Sequence, residues 1–87
     1  MEVHEAITRH SMAQHEHLRQ FMELDQEREL LIEQAIRLCR EGKPFSTDEI
    51  NRVTSAINEH ARKGISPMRR YVTPEMIEEY VDRLSKK

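Results

Sequence analysis

Five histidines among 87 residues are the side chains of this sequence best suited to metal binding or proton transfer. Four of them, His4, His10, His15 and His17, fall within the first helix that the sequence predicts. Imidazoles on one helix share a metal ion when they lie three or four residues apart, because that spacing places them on one face. No two of these histidines have that spacing. A metal site would therefore need ligands from two chains, for example His10 and His17 across a dimer axis.

Two other interpretations of His10 and His17 stay open. The two residues lie seven apart with Gln14 between them, and polar residues at such positions set the register of paired helices. Histidines in a buried seam would instead gain charge near about pH 6 and weaken the pairing. The spacing alone does not decide between a structural, a pH-sensing and an intersubunit metal-binding role.

The remaining reactive residue types form no catalytic constellation. Cys39 is the single cysteine, and it falls near the C-terminal end of the first predicted helix, where the helix dipole disfavours a thiolate. We therefore expect a buried, inert thiol. The sequence contains no Gly-rich phosphate loop and no Cys-x-x-Cys pair. We expect a protein that is not an enzyme and that needs no cofactor.

A basic segment between the second and third predicted helices is the other candidate site. It contains Arg62, Lys63, Arg69 and Arg70 next to Tyr71, a set that could contact a phosphate backbone or an acidic protein. The whole chain carries 14 basic and 16 acidic side chains and a net charge of -2, which does not favour nucleic acid. A small regulator that binds through this segment is the alternative to a protein that only self-associates.

The first of three predicted helices is unusually long. Glu, Gln, Arg, Leu and Ala dominate residues 2–41, and both glycines and all three prolines lie beyond this stretch. Apolar residues recur in it with a seven-residue period, although several positions of the repeat are polar. We predict one helix over 2–41 that ends at Gly42.

The two shorter helices are marked by their first residues. Ser46 to Glu49 has the pattern of a capping box, with Phe45 and Ile50 placed as a hydrophobic staple, and it predicts a helix over 47–63. Thr73 and Pro74 are typical of an N-cap and a first helical position, and they predict a helix over 74–85. We expect its inward-facing residues to be Ile77, Tyr80, Val81 and Leu84. The chain is thus predicted to be all-α, with a single domain over 1–87 that divides into a long helix (1–41) and a helical pair (45–87).

The long helix is too long for the rest of the chain to cover. About 40 helical residues span ~60 Å, roughly twice the diameter of a compact chain of this length. An amphipathic helix gains most of its stability from packing one face, so a second chain is expected to cover the remainder. We therefore predict a homodimer with antiparallel long helices and the interface residues Val3, Ile7, His10, Gln14, His17, Leu18, Phe21 and Leu24.

Four short segments carry a family resemblance, namely His15-Glu-His-Leu, Leu24-Asp-Gln-Glu-Arg, Phe45-Ser-Thr-Asp-Glu-Ile-Asn and Tyr71-Val-Thr-Pro-Glu-Met. They resemble the YpbS-like family of short Bacillus-type cytoplasmic proteins. The resemblance implies a bacterial cytosolic helical protein, and it transfers no activity, cofactor or site residue. The first residues lack a signal-peptide pattern and the chain has one cysteine, which also favours a cytoplasmic location.

Overall fold

Three helices make up the fold of this protein. The computed structural model describes residues 2–64 and 66–86, with side chains from Gln14 onward. Helix α1 spans Glu2–Arg40, α2 spans Asp48–Ala61 and α3 spans Pro74–Ser85, and the described residues contain no strand. The predicted all-α fold, with a long first helix and two shorter ones, is confirmed. Helix α2 is shorter than predicted at both ends, whereas the bounds of α3 agree with the prediction.

The molecule is elongated because α1 determines its length. Its principal extents are 62, 24 and 14 Å, and its radius of gyration is 17.7 Å. A compact chain of this length would have a radius of gyration of ~12 Å. The 39 residues of α1 alone account for ~58 Å of the long axis.

Helices α2 and α3 both pack on α1, and within the described residues no Cα atom of α2 lies within 8 Å of one in α3. One cluster of buried residues contains Ala35, Ile50, Val72 and Ile77, and a second contains Phe21, Val53 and Ile57. Residues early in α2 thus pack near the end of α1, and residues late in α2 pack nearer its middle. Helix α2 therefore runs antiparallel to α1. Leu31 contacts both clusters and joins them.

Gly42 terminates α1, as the sequence predicts. Gly42 has a φ of 71°, in the left-handed region that favours glycine. The Lys43 amide donates to the Leu38 carbonyl at 2.9 Å and the Gly42 amide donates to the Cys39 carbonyl at 3.1 Å. These two bonds form the Schellman arrangement, which pairs carbonyls that the helix leaves free.

The capping box predicted at the start of α2 is wrong. The N-cap residue is Thr47, whose side chain makes no capping bond and is buried at 5% exposure. The Ser46 hydroxyl accepts instead from the Asp48 amide at 3.1 Å. Tertiary packing of Thr47 thus moves the helix start by one residue, so that Ser46 cannot act as the N-cap. Phe45 packs against the cluster that contains Ile50, as expected of a staple.

Helix α3 starts as predicted, but one residue that was expected to face inward, Tyr80, does not. The Thr73 hydroxyl accepts from the Met76 amide at 3.3 Å, and Pro74 occupies the first turn. Ile77 is buried and Val81 packs against the same cluster, whereas Tyr80 is 47% exposed. Helix α3 thus buries only part of the face that the sequence predicts, and Tyr80 remains largely exposed.

The left-handed conformation of Gly42 allows a direct test of the helix stop. No atom lies near the position of an added Cβ, so a Gly42→Ala substitution would introduce backbone strain without a steric clash. We expect the free energy of unfolding in urea to fall by about 1–2 kcal/mol. Gly42→Asn should cost less, because asparagine tolerates this conformation better. Equal losses for alanine and asparagine would contradict a conformational origin.

Candidate functional site

An extended segment, residues 66–73, is the most distinctive feature of the structure and is called the strap below. It has no helix or strand, and it contacts both α1 and α2 through hydrogen bonds. Its amides and carbonyls lack the partners that regular secondary structure would supply, so side chains must provide them.

Two asparagines of α2 bind the strap backbone in the same way. Asn51 donates to the Val72 carbonyl at 2.8 Å and accepts from the Val72 amide at 2.7 Å. Asn58 donates to the Arg69 carbonyl at 3.0 Å and accepts from the Arg69 amide at 2.8 Å. Each side-chain amide therefore satisfies both polar groups of one strap residue.

The spacing of these asparagines matches the spacing of the strap residues that they bind. Asn51 and Asn58 lie two helical turns apart, a distance of ~10.5 Å. Arg69 and Val72 lie three residues apart on an extended chain, which spans ~10 Å. The order is reversed, so the strap runs antiparallel to α2. Both asparagines of α2 can therefore bind the strap at once, because the two spacings match.

A buried arginine of α1 completes the attachment between the two asparagines. The Arg28 side chain is 9% exposed; its Nε donates to Thr54 Oγ1 at 2.9 Å and its Nη2 donates to the Arg70 carbonyl at 2.8 Å. Thr54 is fully buried and donates in turn to the Ile50 carbonyl at 2.8 Å. This guanidinium links α1, α2 and the strap.

Arg69, one of the predicted partner-binding residues, is already engaged within the chain. Its Nε lies 2.9 Å from Asp25 Oδ1, and its guanidinium lies 5.1 Å from the centroid of the Phe21 ring. The hydrogen bond to Asp25 raises the pKa of Arg69 above its usual value, so the residue stays charged. Arg69 thus fastens the strap to α1 and covers Phe21.

The rest of the basic segment remains at the surface. Arg62 is exposed and lies 3.6 Å from Glu59, and Lys63 is exposed. Arg70 is also exposed, and Tyr71 is 54% exposed. These four residues keep the predicted partner-binding segment accessible, although its charge is reduced by the pairing of Arg69.

His17 lies in a contact within the chain, although the sequence assigned it to a dimer interface. Its ring stacks on that of His60, with 3.7 Å between the ring centroids and 14° between the ring planes. His17 Nε2 lies 3.1 Å from the buried Ser66 hydroxyl, and His60 Nε2 donates to the His17 carbonyl at 2.8 Å. Burial lowers the pKa of His17, and the charge of His60 lowers it further.

The same contact explains Gly64, which ends the turn after α2. A Cβ on Gly64 would overlap with the His17 imidazole. A larger residue here would therefore displace the His17 ring from its contact.

The other predicted interface residues fall into three groups. The side chains of Val3, Ile7 and His10 lie outside the described residues. Phe21 is buried within its own chain and Leu24 packs against the Phe21 cluster, so neither needs a second chain for burial. Gln14 is exposed, and so is Leu18, at 38%. Met22, which the sequence prediction omitted, lies one turn after Leu18 and is 67% exposed.

Metal-binding residues do not cluster in the described part of the chain, where no three His, Cys, Asp or Glu side chains come together. Cys39 is free and half-buried against the first cluster, rather than fully buried as expected. Among the helices in the described ranges, none combines the length and apolar character of a membrane span.

These features define a small all-α protein in which one long helix carries two short helices and an extended strap. The chain belongs to a family described as protein of unknown function, DUF2533, which matches residues 1–83. It is 52% identical over 83 residues to the uncharacterized protein YpbS of Bacillus subtilis (strain 168), an overlap that covers 95% of this chain and 98% of that protein. The resemblance to YpbS-like proteins is thus confirmed. No solved structure matches this chain.

The asparagine contacts predict a specific loss of stability. Asn58→Ala leaves the Arg69 amide and carbonyl without their partner, so we expect the free energy of unfolding to fall by about 1–3 kcal/mol. Hydrogen exchange at the Arg69 amide should accelerate in the same variant. Ser55→Ala, at an exposed position of the same helix, is the matched control and should change neither value. Equal behaviour of the two variants would show that the strap does not depend on Asn58.

Proposed function

We propose that this protein is a non-enzymatic assembly unit that forms a homodimer through the N-terminal part of α1. The supporting observation is how far along α1 the contacts with α2 and the strap extend among the described side chains, which begin at Gln14. The end of α2 and the start of the strap contact α1 at His17, whereas α1 begins at Glu2. Residues 2–16 thus continue for about 22 Å beyond that contact.

A helical segment of this length needs a packing partner. Isolated helices shorter than ~12–15 residues are marginal in water, and most helical stability in proteins comes from packing an amphipathic face. The apolar repeat that begins with Val3 and Ile7 in the sequence continues beside the exposed Leu18 and Met22. A second copy offers the same repeat, and the interface of a two-fold dimer is by nature complementary to itself.

An antiparallel arrangement of the two helices fits the shape of the chain. It keeps α2 and α3 of the two copies at opposite ends of the dimer, where they cannot collide. It also aligns the helix dipoles in opposite directions, which is the favourable sense.

The non-enzymatic part of the proposal is supported by the occupation of the reactive side chains. His17 and His60 hold α2 and the strap on α1, and Cys39 packs against the core. The alternative, a regulator that binds through the basic segment, has less support because Arg69 is paired with Asp25.

Charged substitutions on α1 test the proposed interface. Leu18→Glu combined with Met22→Glu places two carboxylates on the proposed face, and we expect the dimer dissociation constant to rise roughly tenfold or more. Sedimentation equilibrium measures this constant directly. Both side chains are exposed in the single chain, so the helical circular dichroism should not change.

Leu30→Glu is the matched control for this experiment. Leu30 is 60% exposed on the same helix, about 120° around the axis from Leu18. It should leave the dissociation constant unchanged. A specific dimer of moderate affinity would form at protein concentrations below about 100 µM. A wild-type protein that still sediments as a 10.4 kDa species at this concentration would contradict the proposal.

A further inference from the structure

We propose that the His17–His60 stack is an acid-sensitive latch, which holds the end of α2 and the start of the strap on α1 at neutral pH and releases them below about pH 6. The latch joins three parts of the chain at one point. His17 belongs to α1, His60 to the last turn of α2, and Ser66 to the strap.

The hydrogen bonds fix where the protons lie in the closed latch. A carbonyl oxygen only accepts, so His60 Nε2 must carry a proton when it contacts the His17 carbonyl. His60 can therefore take up a second proton on Nδ1 without losing this bond. Protonation of His17 would then place two cationic rings face to face, with 3.7 Å between their centroids.

The charged groups near the stack whose side chains are described do not offset this repulsion. On α1, Glu16 is paired with Arg19, and on α2, Glu59 is paired with Arg62. Lys63 is exposed and would add positive charge, whereas Gly64 and Ser66 bring none. Among the described residues, His60 is the one charged group that acts on His17.

Linkage gives the direction of the pH effect. In the unfolded chain His17 titrates at about pH 6.5, whereas burial and the charge of His60 hold its pKa below this value in the folded chain. Below about pH 6.5 the unfolded chain therefore binds more protons than the folded chain, and the free energy of unfolding decreases as the pH is lowered. This contribution is fully present above the unfolded pKa and is lost as the pH falls through the folded pKa of His17.

The first experiment follows the imidazole signals of the whole protein by NMR as the pH is lowered. We expect His17 to titrate below the ordinary range in the wild type. His60→Gln keeps a donor for the His17 carbonyl but carries no charge, so the pKa of His17 should rise towards its usual value. An ordinary pKa for His17 that His60→Gln leaves unchanged would overturn the proposal.

The second experiment measures release of the latch by hydrogen exchange, corrected for intrinsic rates. The Lys63 and Gly64 amides close the last turn after α2, and their protection should fall severalfold as the pH is lowered from about 7.5 to about 5.5. His17→Gln and His60→Gln should each abolish most of this loss. Equal pH dependence in the wild type and in both variants would overturn the latch.

Two histidines of α1 serve as controls. His15 is exposed two residues before His17, and His10 lies one heptad before it with a side chain outside the described residues. His15→Gln and His10→Gln should keep the wild-type response. The latch does not depend on dimerisation, so Leu18→Glu/Met22→Glu should also keep it. A response that is lost in this double variant would assign the pH effect to the interface and overturn the latch within the chain.

Discussion

The arrangement of this protein depends on the hydrogen bonds that Asn51, Asn58 and Arg28 make to the strap backbone. In the described residues no Cα atom of α2 lies within 8 Å of one in α3, so the backbones of the two helices are joined through the strap. An extended segment against helices would leave buried peptide groups unpaired, at a cost of about 1–3 kcal/mol for each. Because the three side chains satisfy these groups, the strap can pack Val72 into the core and direct α3 onto α1.

Local signals were sufficient to predict the helices and most of their ends. Gly42, Thr73 and Pro74 act on their own neighbours within a few residues, so the sequence predicts their roles correctly. The Ser46 capping box failed because the side chain of Thr47 is buried, and burial depends on the packing of α2 against the rest of the chain. Local patterns cannot report that packing.

The candidate site was largely unpredictable from the sequence. Arg28 bonds to residues 26 and 42 positions away, and Asn51 to a residue 21 positions away. Nothing in the local sequence around these residues indicates which distant backbone groups they bind. The sequence placed His17 in a predicted dimer interface but did not indicate its contact with His60, which lies 43 positions further along the chain. Two asparagines spaced seven apart before an extended segment are the signal that could have indicated the strap.

The length of α1 connects this arrangement to the proposed assembly. Small-angle X-ray scattering would test in one measurement whether two α1 helices pair and whether they run antiparallel. Two chains that overlap antiparallel along residues 2–22, which include Leu18 and Met22, would form a particle of twice the single-chain mass and roughly 85 Å in length. A particle of 10.4 kDa with a radius of gyration near 17.7 Å would contradict self-association. A particle of twice that mass but only about 60 Å in length would contradict the antiparallel direction.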